Sequence, residues 1–217
     1  MIVDLNLQNK LVVVIGGGNE AEKRISSLLK QNCSILVISD STSTKVNKLF
    51  KAKKIKLKKQ KIQDIRFISE FKPHMIITTT NDKKLNHKII NASKRKKIIA
   101  YSSDNPEESD FSNPAIIDFD NTIQIAIFTG GQSPAMSKKI KAKSEEALKE
   151  LITKEDIAQI KIQKIARKFA KESIPSHTQR RECLRKIIND NEIDQLIKDG
   201  QIKDAEKRAI TILRNWK

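Results

Sequence analysis

The apolar residues of the first hundred positions come in short β-branched runs, separated by stretches in which they recur every three or four residues. The run at 10–15 reads as a strand buried on both faces, and that at 34–38 as a second. Between them Ala21, Ile25, Leu28 and Leu29 share one face of a helix over residues 20–30. The series continues with a strand at 54–57, a short helix over 62–71 carrying Ile65, Ile68 and Phe71, and a strand at 74–79. A helix presenting Leu85, Ile89, Ile90 and Ala92 and a strand at 98–101 complete it. Strands separated by helices need crossover connections, so the expected fold is α/β, a doubly wound parallel sheet. After Pro106 the pattern changes. Residues 115–117 and 123–127 read as two strands around a polar turn at 118–121. Gly130 and Gly131 break the second, Ser133 offers a helix N-cap, and Pro134 suits the first helical position. From there to residue 217 the spacing is helical, with capping-box candidates at Thr153/Asp156 and Ser176/Gln179.

The turn between the first strand and helix carries the first candidate chemistry. In Gly16-Gly17-Gly18-Asn19-Glu20-Ala21, Gly16 allows a tight turn, Gly18 lets backbone approach a pyrophosphate, and Ala21 permits close helix packing. The free N–H groups at the helix start supply an anion site. Asp40 ends the second strand, where a carboxylate accepts bonds from a ribose diol and repels a 2′-phosphate, which favours NAD over NADP. Two bland readings stand beside these: a phosphate-free turn for the glycines, and a helix cap for Asp40. Ligands of such sheets lie at the carboxyl ends of strands. Residues 78–81, with Thr79 and Thr80, and residues 102–105 fall at two such ends and join the candidate cofactor crevice.

Charge alters the picture only in part. With 43 Lys and Arg against 26 Asp and Glu, the 217-residue chain carries a net charge of +17, which raises the question of nucleic acid. In the densest run, however, Lys54, Lys56 and Lys58 alternate with Ile55 and Leu57, the expected pattern of an edge strand with lysine on its wet face. Aromatic residues make up 4% and none interleaves with the lysines, so stacking platforms are missing and no nucleic-acid partner is expected. Cys33 and Cys183 show no paired spacing and are expected as reduced thiols, with no metal site. No apolar run approaches the ~18 residues of a membrane span. Asp4 and Asn6 interrupt any leader, so the expected location is the cytoplasm. His74, His87 and His177 are expected to be structural or solvated.

Four blocks in order carry a family resemblance. They are Val14 to Gly18; Ile77-Thr78-Thr79-Thr80-Asn81-Asp82 with Leu85-Asn86; Asp104-Asn105-Pro106 through Phe111 and Pro114 to Ile117; and Ile125-Ala126 with Thr129-Gly130-Gly131-Gln132-Ser133-Pro134-Ala135. Together they resemble the precorrin-2 dehydrogenases, the N-terminal module of siroheme synthase, over essentially the whole chain. Arg180-Arg181 and Asn189-Asp190 match as well. The resemblance implies an NAD-dependent oxidation of precorrin-2 to sirohydrochlorin. It also implies a homodimer formed through the segment after the nucleotide domain, hence a dinucleotide-binding domain at 1–113, a dimerisation segment at 114–150 and a helical domain at 151–217. The family's acid–base residue falls on Asp104, and a carboxylate at a strand end is suited to take a proton while a hydride leaves. Asp-Asn-Pro is equally ordinary turn chemistry. Thr129, Gly130, Gly131 and Ser133 are the expected substrate-binding group at a helix start. Some relatives also insert ferrous iron, which makes that ion a second candidate substrate. The methyltransferase module of the longer fusion proteins is not expected. Two departures stand out: Tyr101-Ser102-Ser103 in place of Asn-Val-Val, and Phe128 in place of a small residue. The competing classes are a non-enzymatic NAD-sensing module and a basic nucleic-acid-binding protein.

Overall fold

The computed structural model describes residues 2–216, so positions 1 and 217 of the expected spans lie outside the described residues. The chain divides into two compact units between Asn113 and Pro114. The first contains β1 (Leu11–Ile15), α1 (Asn19–Leu28), β2 (Ser34–Ser39), α2 (Thr44–Lys51), β3 (Lys56–Lys59), α3 (Arg66–Phe71), β4 (Met75–Thr78), α4 (Lys83–Arg95) and β5 (Ile99–Ser102). All five strands are parallel, in the order β3-β2-β1-β4-β5. The chain winds outward from β1 through β2 to β3, then crosses back to β4. The switch point therefore lies between β1 and β4, where ligands of doubly wound sheets bind.

The continuous apolar runs follow from burial on both faces. Val12 and Val14 of β1, Ile35 and Val37 of β2 and Met75 and Ile77 of β4 meet Ala21, Ile25, Leu28 and Val46 of α1 and α2. The alternate residues Val13, Ile15, Leu36, Ile38 and Ile76 meet Phe67, Ile68, Ile89 and Ala92 of α3 and α4. Each of the side chains larger than alanine contributes about 1.5–3 kcal/mol by its removal from water.

The expected strands all form, with three differences. Helix α2 is an addition to the expected series; Ser43 caps it by accepting the Val46 N–H at 3.2 Å. Strand β3 begins two residues late because the end of α2 consumes the chain before it. Lys53 turns left-handed at φ 55°, and Lys54 donates its N–H to the Leu49 carbonyl at 3.0 Å. Helix α3 begins at Arg66 rather than 62, since the Asp64 carboxylate accepts the Arg66 N–H at 2.9 Å and starts the helix there. β3 is an edge strand, and Lys54 and Lys56 are exposed while Ile55 and Leu57 turn inward, as the alternation predicts; Lys58 departs from it. Both faces of a parallel sheet are covered, so Lys58 lies with its Nζ 4.8 Å from the Phe71 ring centroid and 2.8 Å from Glu70 Oε1.

In the second unit β6 (Ala115–Phe119) and β7 (Ile123–Ile127) form an antiparallel hairpin. Asp120 and Asn121, at φ 52° and 50°, supply the two left-handed positions of its turn. α5 (Pro134–Leu151) follows, capped by Ser133, which accepts the Met136 N–H at 3.2 Å. α6 (Lys154–Ser173) opens on the expected capping box: Thr153 Oγ1 accepts the Asp156 N–H at 3.2 Å and Asp156 accepts the Thr153 N–H at 2.9 Å. α7 (His177–Ile188), α8 (Asn191–Lys198) and α9 (Ile202–Arg214) complete a helical core. Its centre is Ile162 and Ala166 of α6, Cys183 and Ile187 of α7, Ile193 of α8, and Ala205 and Ala209 of α9. Cys33 and Cys183 are unpaired thiols whose pKa burial pushes up. No helix among the described residues is long and apolar enough to cross a membrane.

Candidate active site

The glycine turn sits at the switch point. Gly16 leaves β1 at φ 103° and donates its N–H to the Ile38 carbonyl at 3.0 Å. A Cβ there would lie 2.6 Å from Thr79 Oγ1 and 3.0 Å from the Thr79 carbonyl oxygen, so only glycine lets the ends of β1 and β4 close together. Thr79 seals the contact: its N–H and hydroxyl both donate to the Ile15 carbonyl, at 2.8 and 2.9 Å. Gly17 is crowded in the same way, because a Cβ would stand 2.5 Å from the Ser41 carbonyl oxygen. Gly18 is the opposite case. Nothing lies within 4 Å of its missing side chain, and it caps α1 without a side-chain acceptor. The N-terminus of α1, with Gly18 and Asn19, is thus open to an anion approaching along the backbone.

The side chains around this turn divide into engaged and free. Ala21 is buried against the sheet. The Glu20 carboxylate is held by Lys23 at 2.9 Å and by Arg24; partial burial pushes its pKa up, but those cations hold it below the usual carboxylate range. Asp40 is exposed beyond β2, with a contact from the neighbouring Ser41 hydroxyl at 3.3 Å. Ser43, not Asp40, caps α2, which leaves the Asp40 carboxylate available for a ribose. Thr80 donates its hydroxyl to Asn86 Oδ1 at 2.7 Å.

Asn86 leads to the second group. It is 1% exposed, and its amide donates to the Thr80 carbonyl and to Asp104 Oδ1, each at 2.9 Å. Ser102, also 1% exposed, donates to the same Asp104 oxygen at 2.5 Å and lies 2.8 Å from Thr78 Oγ1. The carboxylate is therefore fixed through one oxygen by two buried side chains from α4 and β5, and its other oxygen has no hydrogen-bond partner among the described residues. Asp104 itself is exposed and lines a cavity of about 330 Å³ with Lys83, His87, Ile90, Ser102, Asn105 and Glu108. Sequence reasoning placed Ser102 at the crevice only by its position within residues 102–105, and gave Asn86 no role in it. Ser102 belongs to the departing triplet, and all three of its members are in use. Tyr101 packs under the Arg24 guanidinium at 4.8 Å, and Ser103 donates its hydroxyl to the Thr78 carbonyl at 3.0 Å.

In the second unit the Thr129–Ser133 turn precedes α5. Gly130 and Gly131 are left-handed, at φ 63° and 78°, with open space around them. The Thr129 hydroxyl lies 2.9 Å from Ser137 Oγ, and the Ser133 hydroxyl oxygen is occupied as the cap. The donors this turn leaves free are chiefly backbone N–H groups. Phe128 before it is 48% exposed. Among the described residues no group of three or more His, Cys, Asp or Glu side chains could hold a metal ion.

Residues 3–115 match a family described as "Putative NAD(P)-binding". Among curated proteins, the siroheme synthase of Actinobacillus pleuropneumoniae serotype 7 is 26% identical over 211 residues, covering 97% of this chain and 42% of that protein. The siroheme synthase of Blochmanniella pennsylvanica is 29% identical over 218 residues, with the same coverages. The chain thus spans about two fifths of the length of these relatives. A solved structure of SirC, precorrin-2 dehydrogenase, superposes with a TM-score of 0.69 at 22% identity, covering 96% of this chain and 99% of that one. At that identity the likeness is one of fold.

Proposed function

The chain belongs to the NAD(P)-binding family that its residues 3–115 match, and on that premise we propose that it oxidises precorrin-2 to sirohydrochlorin with NAD as the oxidant. The observation that carries this reading is the Asp104 carboxylate, fixed by Asn86 and Ser102 at the same carboxyl end of the sheet as the glycine turn. The crowded Gly16 and Gly17 and the open Gly18 fit a dinucleotide: the first two shape the turn and the third leaves room for a pyrophosphate. Asp40 accepts the ribose hydroxyls and disfavours a 2′-phosphate, which selects NAD. When bound, the nicotinamide supplies a two-electron hydride acceptor. Dehydrogenation also releases a proton, and the unpartnered Asp104 oxygen takes it. In the second unit the backbone N–H groups of Gly130 and Gly131, in the turn with Thr129 and Ser133 at the start of α5, are the proposed donors to carboxylates of the substrate. The +17 field draws such a polyanion in.

The same reading places the enzyme in the cytoplasm as a homodimer. Residues 114–150 are the proposed dimerisation segment and 151–217 the helical part, both within the second compact unit. A two-stranded sheet is marginal alone, and an outer edge of the β6–β7 hairpin is suited to pairing with a second copy. Sedimentation at micromolar concentration tests this, and a monomer would remove it. The function is tested by anaerobic incubation with precorrin-2 and NAD, following sirohydrochlorin absorbance with and without ferrous iron. Loss of the sirohydrochlorin signal only when iron is present would add chelation to the activity. No absorbance change without iron would refute the dehydrogenase.

A further inference from the structure

The cavity beside Asp104 contains a second ionisable group that the mechanism above does not use. His87 of α4 places its Nδ1 2.7 Å from Glu108 Oε2, and its Nε2 lies 2.8 Å from the Asn91 amide nitrogen. With Asn91 donating to Nε2, the ring proton sits on Nδ1 and is given to Glu108. A carboxylate so placed fixes the tautomer and stabilises the imidazolium that forms when Nε2 gains a proton. His87 and Glu108 line the same cavity as Asp104, and the His87 side chain is 57% exposed, so the pair spans from that cavity to solvent.

We propose that His87, oriented by Glu108, is a positioning residue that carries the proton from Asp104 to bulk solvent. The inference rests on the dehydrogenase reading. Each turnover leaves Asp104 protonated, so the carboxylate must be emptied before it can act again, and His87 lines the same cavity while reaching solvent. The O–H bond of the Asp104 carboxylic acid breaks, water in the cavity passes the proton on, and an N–H bond forms at His87 Nε2. The Asn91 amide turns over to accept from it, and the imidazolium then releases the proton to solvent buffer. No electrons move in these steps. Charged groups facing His87 are Glu108 from the turn after β5, Asp104 beyond the same strand, and Lys83 one turn back on α4.

The test compares wild type, His87→Gln and Glu108→Gln in the anaerobic precorrin-2 assay, recording kcat from pH 5.5 to 8.5, with and without added imidazole. Histidine is the side chain that changes charge in this range. The expected result is a fall in kcat of about tenfold or more for His87→Gln at unchanged KM for NAD, with a flattened acid limb and recovery in imidazole. Glu108→Gln keeps the ring in place and should shift the acid limb without abolishing it. A His87→Gln profile that superposes on wild type, or a loss of rate that imidazole does not restore, would overturn the relay. A wild type that binds NAD but does not oxidise precorrin-2 would overturn the functional reading itself, and the relay with it.

Discussion

Replacing Asp104 with asparagine separates the two roles that its position allows. The carboxylate accepts from Asn86 at 2.9 Å and from Ser102 at 2.5 Å through a single oxygen. An asparagine carbonyl has two lone pairs and accepts both bonds in the same place, so the backbone after β5 keeps its anchor. What is lost is the charge-assisted character of those bonds, about 1 kcal/mol, which at this chain length lowers Tm by roughly 2–4 °C. The other atom becomes an amide nitrogen, which cannot take a proton. General-base catalysis contributes typically ~10²–10⁴-fold, so kcat should fall by that factor, or about 2.7–5.4 kcal/mol of transition-state free energy. The dissociation constant for NAD, followed by fluorescence titration, should not move, because the proposed pyrophosphate and ribose contacts lie on the β1 turn and at Asp40. Near-normal sirohydrochlorin formation by Asp104→Asn would refute the base assignment and leave the residue as a turn former.

Three further outcomes follow from the geometry. Gly16→Ala should lose most NAD affinity and lower Tm, since φ 103° costs roughly 1–3 kcal/mol for an L residue and its Cβ would stand 2.6 Å from Thr79 Oγ1; unchanged melting and NAD titration would contradict the tight closure of β1 on β4. Asp40→Ala should raise the KM for NAD and narrow its advantage over NADP, and a wild type that prefers NADP would refute the ribose contact. Asp190 is pushed up by burial, but Arg208 at 3.2 Å holds its carboxyl below the ordinary range, so the pair's stabilisation is present above the unfolded pKa and is lost as pH falls through the folded one. Asp190→Asn should therefore cost about 1 kcal/mol in denaturant melts at pH 7, and the gap should close on acidification below the ordinary carboxylate range; a gap independent of pH would place the effect elsewhere.

The parallel sheet was legible because residues buried on both faces leave no polar interruption, as in Val12 to Ile15, and the helices between showed their period through Ala21, Ile25 and Leu28. The boundaries that moved did so for local reasons that apolar spacing does not encode, such as the left-handed Lys53 and the Asp64 cap. The backbone part of the candidate site was legible on the same terms. A glycine at positive φ and a serine before proline announce themselves in sequence, and Gly16 and Ser133 adopt those conformations. The side-chain part was not. Thr78, Thr80, Asn86, Ser102 and Asp104 converge only because β4 and β5 are neighbours and α4 returns between them. Ser102 belongs to a triplet that departs from the family pattern, yet its hydroxyl holds Asp104.

The basic charge shows how far the fold itself accounts for composition. Lys48 and Lys51 lie in the last turn of α2, Lys94 and Arg95 in that of α4, and Arg185 and Lys186 in that of α7. Each complements the negative end of a helix dipole, worth about 0.3–1 kcal/mol at an exposed site. Lys83 and Lys84 break the rule. They open α4, whose first turn contains no acidic residue, and so place two positive charges at the positive end of the dipole. That arrangement costs the helix stability of the same order that the others gain. Asp82 offsets part of it by capping the helix through the Leu85 N–H at 3.0 Å. Lys83 also lines the cavity that contains Asp104 and His87. A cation set against its helix dipole in the lining of that cavity gains nothing from the dipole. On the proposed reading it has a functional reward, since it offers a polycarboxylate substrate a counter-charge in the cavity that Asp104 lines.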